Sequence, residues 1–247
     1  MDATAHSDLP PDLLAGRVVL VTGAGGALGG AVARCAAACG ATVILTDRRI
    51  RPLERVYDEI TAAGHPEPVI HGFDLEGAGP DDYTGFAAAV AENLGRLDAL
   101  VHIAALLGAI CPVEHFNVEL WHRVMQVNLN GPFLLTRACL PLLRRAPEGR
   151  LLFVGDATGR HGKAYWGAYA VSKAGLEGLM QVLADELENS TVRVASIDPG
   201  VFRSGLRQQV FPFEDPAALR PPQEVAPAIV RLLGPAGAEA HGRALAL

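Results

Sequence analysis

Thr22-Gly-Ala-Gly-Gly-Ala-Leu-Gly29 is the stretch that decides the fold. It follows a β-branched run, Arg17 to Thr22, and precedes an alanine-rich helical pattern, Ala31 to Cys39. A glycine turn between a strand and a helix reads as a dinucleotide fingerprint. Gly23 permits the tight turn, Gly29 permits close helix packing, and the helix N-terminus offers N–H groups to a pyrophosphate. Gly26, Ala27 and Leu28 complete the candidate contacts of this loop. Ala27 stands where a further glycine is usual, and its methyl is expected to weaken phosphate binding at most, because Gly25 and Gly26 keep the loop adaptable.

Outward from the turn, Thr42 to Thr46, Val69 to Phe73, Leu97 to Ile103, Arg150 to Val154 and Val192 to Ile197 all read as strands. They are apolar almost without interruption, so both faces are buried, as in a parallel sheet sandwiched by helices. Pro52 suits the first position of a helix through Leu53, Val56, Tyr57 and Ile60 that stops near Gly64, and Pro80 opens another through Phe86 and Val90. The pattern is an α/β fold of the Rossmann type, doubly wound, with its ligand crevice at the carboxyl ends of the strands. No Ser/Gly-rich or charged linker divides the 247 residues, so residues 17–247 are expected to form one domain behind a polar lead-in, 1–16.

Half of the residues are apolar and 19% are charged, which provides a large core, yet no apolar run is long enough to cross a bilayer. The lead-in lacks the basic start and apolar stretch of a secretion signal, and a cytoplasmic location is expected. A net charge of -6 argues against nucleic acid or an anionic membrane as partner. Cys35, Cys39, Cys111 and Cys139 form no CxxC pair and read as free thiols. His115, Glu119 and His122 share a face if one helix carries them, but they match a solvated polar face better than a metal site, so no metal is expected. Trp121 and Trp166 read as packing or pocket-wall residues.

Two further signals concern chemistry. Asp47 ends the second strand, 24 residues beyond Gly23, where a carboxylate accepts hydrogen bonds from an adenosine ribose and repels a 2′-phosphate. NAD is therefore favoured; NADP is the alternative, since Arg48 and Arg49 follow at once and can grip a 2′-phosphate. Asp74 suits the adenine amino group or a turn cap, and Leu75 and Ala104 are counted with it as cofactor contacts. Tyr169-Ala-Val-Ser-Lys173 puts a phenol and an ammonium one helical turn apart on one face. A fixed cation within a few Å is expected to pull the phenol pKa down and make Tyr169 a proton-transfer group.

The glycine turn, Asn128, the Tyr169/Lys173 pair and Asp198-Pro-Gly200 occur in the order that resembles the classical short-chain dehydrogenase/reductase superfamily, over nearly the whole chain. Arg55-Val-Tyr-Asp-Glu-Ile60, Ala62-Ala-Gly-His-Pro66, Ala164-Tyr-Trp-Gly-Ala-Tyr169 and Gly178-Leu-Met-Gln-Val-Leu-Ala-Asp-Glu-Leu187 resemble its bacterial YciK-type branch. The resemblance implies a seven-stranded parallel sheet flanked by helices on both faces, a nicotinamide cofactor, a small-molecule substrate, and assembly into a homodimer or homotetramer. It also implies roles: Tyr169 as general acid or base, Lys173 as its modulator and ribose ligand, and Asn128 as anchor of a relay water. Pro132 lies four residues after Asn128 and has no N–H, so a helical segment leaves the Asn128 carbonyl without its usual donor. Pro199, Gly200 and Ser204 match positions near the nicotinamide. Superfamily members with alanine at the place of Ala27 also exist, as in polyketide ketoreductase domains. Residues 202–222, with Phe211, Pro212, Phe213 and three arginines, are the expected substrate lid.

The pattern breaks at one catalytic position. The family places a serine thirteen residues before the tyrosine, and here that residue is Asp156. An ionised carboxylate only accepts hydrogen bonds, opposes a developing oxyanion and raises the phenol pKa. Losing an oxyanion donor costs about a hundredfold to a thousandfold in rate. Three ways round this are open: a protonated Asp156, a substitute donor in Thr158 on a continued strand, or a cationic or polyhydroxylated substrate. The family's Asn-Asn-Ala-Gly turn is also replaced, by His102-Ile-Ala-Ala105, with loss of side-chain hydrogen bonds. Two functions follow: an alcohol/carbonyl oxidoreductase with Asp156 as an atypical substrate-polarising residue, or a cofactor-binding protein that serves as a sensor or structural partner without efficient turnover.

Overall fold

A computed structural model describes residues 9–247. The glycine turn joins β1 (Val18–Thr22) to α1 (Ala27–Ala38), and β2 (Thr42–Thr46), α2 (Ile50–Ala62), β3 (Val69–Ile70) and α3 (Pro80–Leu94) follow. The second half runs β4 (Ala99–His102), α4 (Val118–Met125), α5 (Gly131–Leu143), β5 (Gly149–Val154), α6 (Ala157–Arg160) and α7 (Gly167–Glu186). It closes with β6 (Val192–Asp198), α8 (Gly205–Val210), α9 (Pro222–Arg231) and β7 (Ala244–Ala246).

The strands form one seven-stranded sheet in the order β3-β2-β1-β4-β5-β6-β7, every pair parallel. Alternate residues of each strand feed opposite faces, and both faces are covered. Val19, Val21, Val43 and Leu45 pack with α1, α2 and α9, whereas Leu20, Ile44, Leu100 and Phe153 pack with α3, α5 and α7. That double burial explains the unbroken apolar strands. The strand order reverses between β1 and β4, which opens a crevice at their carboxyl ends.

Several boundaries differ from expectation. The first α-helix starts at Ala27 rather than Ala31, because its first turn is built from the glycine loop itself. Pro52 sits at the third position of α2, two residues after Ile50. β3 stops at Ile70, although the His71 and Phe73 N–H groups still donate to the Leu45 and Asp47 carbonyls at 3.0 and 3.1 Å. Residues 1–8 of the expected polar lead-in lie outside the described residues. Its remainder is not simply polar: Leu14 is fully buried, its N–H donates to the Cys39 carbonyl at 2.8 Å, and Leu9 and Leu13 pack on the same core. The altered turn after β4 does not leave the central strands untied. Thr22 Oγ accepts from the Ile103 and Ala104 N–H groups at 2.9 and 3.1 Å. Among the described residues, no helix is long and apolar enough to cross a membrane.

Candidate active site

A cleft of about 780 Å³ lies over the carboxyl ends of the central strands. Gly23 has φ +68°, and a Cβ there would stand 2.9 Å from Ala104 Cα; a Cβ on Gly29 would stand 2.1 Å from the Gly23 carbonyl oxygen. Only glycine fits either position. Gly26 is the N-cap of α1, no side chain among the described residues caps that end, and no acidic residue occupies its first turn. Its leading N–H groups thus face the cleft as donors for an anion. Ala27 is the first helical residue, exposed beside this end. Asp47, Arg48, Asp74 and Leu75 line one end of the cleft, and Ala104, Pro199, Gly200 and Ser204 line it further along. Asp47 accepts from the Arg49 N–H at 3.1 Å, and Arg48 reaches Glu76 at 3.8 Å.

The acid/base candidates meet on the cleft floor. Tyr169 Oη donates to Asp156 Oδ2 at 3.2 Å. The other carboxylate oxygen of Asp156 accepts from both the N–H and the hydroxyl of Thr158, at 2.8 and 2.7 Å, so Asp156 caps α6. Burial, then the neighbouring carboxylate of Asp156 and its hydrogen bond, and then Asp198, push the Tyr169 pKa well above its usual value. This corrects the lowering expected from Lys173 and agrees with the raising expected from an ionised Asp156. The physical reason is geometric: Lys173 Nζ lies 5.7 Å from the Tyr169 ring centroid and donates to the Val154 carbonyl at 2.7 Å. Burial holds Lys173 down at about 8, opposed by Asp156, Glu177 and Asp198.

Asn128 is fully buried, not on the cleft wall. Its amide oxygen accepts from the Leu106 N–H at 2.7 Å, and its nitrogen donates to the Leu106 carbonyl and Ser172 Oγ at 2.9 and 3.0 Å. It sits in a π-helical turn, Gln126–Asn130, in which the Gly131 N–H donates five residues back to Gln126. Thr158 is not on a continued strand: β5 ends at Val154, Thr158 lies in α6, and its hydroxyl is committed to Asp156. Ser204 caps α8 by accepting from the Arg207 N–H at 3.1 Å. In the expected lid, Phe211 lines the cleft while Phe213 is fully exposed. Asn117 caps α4 and breaks the chain between His115 and Glu119, so one helix does not align the three polar residues; no group of metal ligands occurs among the described residues.

Sequence reasoning missed Lys163 as a wall residue and Arg207 as a member of the floor's charge set. Both line the cleft, with the Lys163 ammonium 5.7 Å over the Trp166 ring. Tyr165, at φ +75°, turns the loop that carries Lys163 and Trp166, and a tyrosine there gives no signal of a left-handed backbone.

The short chain dehydrogenase family model matches residues 17–215. The chain belongs to the short-chain dehydrogenase family. It is 42% identical to the uncharacterized oxidoreductase YciK of Escherichia coli strain K12, over 93% of this chain and 90% of that protein. It is 31% identical to a cyclopentanol dehydrogenase of Comamonas, covering 93% of this chain and 94% of that one. A short chain dehydrogenase structure from Shigella flexneri 2a, complexed with NADP, superposes with a TM-score of 0.93 at 39% identity, over 96% of this chain and 98% of that one. Short-chain dehydrogenases use NAD or NADP, and the cleft fits such a dinucleotide: an uncapped helix end faces it, and two glycines leave no room for side chains against the turn.

Proposed function

We propose that this short-chain dehydrogenase interconverts an alcohol and a carbonyl on a small organic substrate, with Tyr169 as the group that exchanges a proton with substrate oxygen. The observation that carries this reading is the convergence of Tyr169 Oη, Lys173 and the uncapped N-terminus of α1 on one cleft. A bound nicotinamide dinucleotide supplies or accepts the hydride. The α1 end and Gly26 would hold its phosphates, Asp74 and Leu75 would bracket its adenine, and Pro199, Gly200 and Ser204 would meet its nicotinamide end. Lys173, fixed by Val154, serves the adjoining ribose and adds positive potential beside Tyr169. Asn128 secures the loop of Leu106 to α7 through Ser172, and its backbone carbonyl, to which Pro132 offers no N–H, serves a relay water. Residues 202–222 act as the lid, and the same chain forms homodimers or homotetramers in the cytoplasm.

NADP takes precedence over the NAD that Asp47 suggested. A relative with 39% identity binds NADP, and Arg48 and Arg49, both exposed at the end of β2, supply cationic partners for a 2′-phosphate. Asp47 limits the discrimination, so both dinucleotides bind. Calorimetric titration with NADPH and NADH tests this, repeated on Asp47→Ala. The variant is expected to bind NADPH about tenfold more tightly, as removal of one nearby like charge allows. No binding of either dinucleotide would sink the reading. The cofactor-binding sensor is not favoured, since the relatives reported above are oxidoreductases by name.

A further inference from the structure

We infer that Asp156 is the proton acceptor of this enzyme, with Tyr169 passing the substrate proton to it as a relay. The inference rests on the alcohol/carbonyl reading and adds a second catalytic group to it. Among the described residues, three hydrogen bonds converge on the Asp156 carboxylate: both Thr158 donors occupy Oδ1, and the phenol alone is bonded to Oδ2. Thr158 therefore fixes the carboxylate as the N-cap of α6 and leaves Oδ2 directed at the tyrosine proton. Both groups line the cleft, but Tyr169 is buried whereas Asp156 is half-exposed, so a proton reaching Oδ2 sits on the more solvent-accessible of the two.

The electrostatics agree with that geometry. Tyr169 faces Asp156 and Asp198, both of which disfavour tyrosinate, and it sits in a desolvated position. A free tyrosinate base is thus withdrawn from neutral pH, and the acceptor must lie beyond the phenol. Around Asp156 the charged groups are Lys173 on α7, which feels Asp156, Glu177 and Asp198, and Arg207 on α8, whose cation Asp156 also stabilises.

In alcohol oxidation the carbinol C–H bond breaks and its electron pair leaves as hydride to the oxidised nicotinamide dinucleotide. The substrate O–H proton forms a bond to Tyr169 Oη while the original phenol proton moves to Asp156 Oδ2. The products are the carbonyl compound, the reduced dinucleotide, an intact phenol and a neutral Asp156, which then releases its proton to water. Carbonyl reduction reverses each transfer.

The test is Asp156→Asn, which keeps the acceptor oxygen and the shape but cannot take a proton at neutral pH. Two readouts are needed. In the protein without dinucleotide, the tyrosinate absorbance titration, taken as the difference from Tyr169→Phe, should shift to lower pH in Asp156→Asn. In turnover, alcohol oxidation near neutral pH should fall about a hundredfold, the usual contribution of one acid/base group, and recover as the solution becomes alkaline enough to ionise the phenol. Asp156→Ser, which installs the family's hydroxyl, should show the same displaced pH profile. An Asp156→Asn enzyme with wild-type rate and pH profile, or an Asp156→Ser enzyme faster at every pH, would overturn the inference. Retained activity in Tyr169→Phe would instead sink the underlying reading of the site, which keeps the two failures apart.

Discussion

Lys173 Nζ donates to the main-chain oxygen of Val154 at 2.7 Å, which fixes the ammonium at the carboxyl end of β5, 5.7 Å from the Tyr169 ring centroid. Burial lowers the Lys173 pKa to about 8, below the value of about 10.4 that an unfolded chain gives it. Between these values the unfolded chain binds more protons than the folded one, so stability rises with pH across the window. Wild type is expected to gain about 2 kcal/mol from pH 8 to 10 relative to Lys173→Met. Tyr169 acts oppositely: its raised pKa means that, above the usual phenol range near 10, the unfolded chain loses a proton the folded chain keeps, and stability falls. Urea unfolding midpoints measured against pH check this, and parallel curves for the two proteins would show that Lys173 is not the titrating group.

The glycines of this chain are not equivalent. A Cβ on Gly29 would lie 2.1 Å from the Gly23 carbonyl oxygen, whereas one on Gly85 in α3 meets nothing within 4 Å. Gly29→Ala is expected to displace the turn, lower the melting temperature and abolish dinucleotide binding. Gly85→Ala should raise stability by up to about 1 kcal/mol, the helix-propensity difference between the two residues. Thermal unfolding and calorimetry on the pair distinguish a steric role from a general intolerance of alanine.

The strands were legible because double burial leaves no polar alternation to confuse them, and β2 falls where Thr42 to Thr46 was read. β7 was not, since Ala244–Ala246 is three residues long, largely exposed, and carries no pattern of its own. Its place in the sheet comes from pairing Ser196 to Asp198 in register. In the site, each residue read as a cofactor contact lines one cleft, because a fixed order of motifs along a doubly wound sheet delivers them to the same strand ends. The opposition of Asp156 to a tyrosinate was legible from its position thirteen residues before Tyr169, but the orientation of the ammonium was not. Spacing put Lys173 on the face of Tyr169, but only three dimensions show the ammonium turned to Val154 and the phenol proton turned to Asp156.

Residues 202–222, proposed above as the lid, carry their own latch. Arg207 on α8 grips Glu214 through two hydrogen bonds of 2.7 and 2.6 Å and lies 4.2 Å over the Phe211 ring, so three residues of the segment hold one another while Phe211 lines the cleft. The Arg207 pairing is within the segment, which makes it a determinant of the segment's shape rather than of overall stability. Glu214→Gln removes the ionic part of the pair and keeps the side-chain length. It is expected to raise the substrate KM about threefold, in line with a partly exposed bidentate pair, with kcat close to wild type and the global melting temperature unchanged. Limited trypsin digestion should cut the 202–222 segment faster in the variant, since the freed Arg207 is itself a cleavage site. A variant with unaltered KM and digestion rate would show that the Arg207–Glu214 pair does not set the lid's shape, and would move attention to the Arg220 contact with the Pro199 carbonyl at 2.9 Å as the tie that holds the segment down.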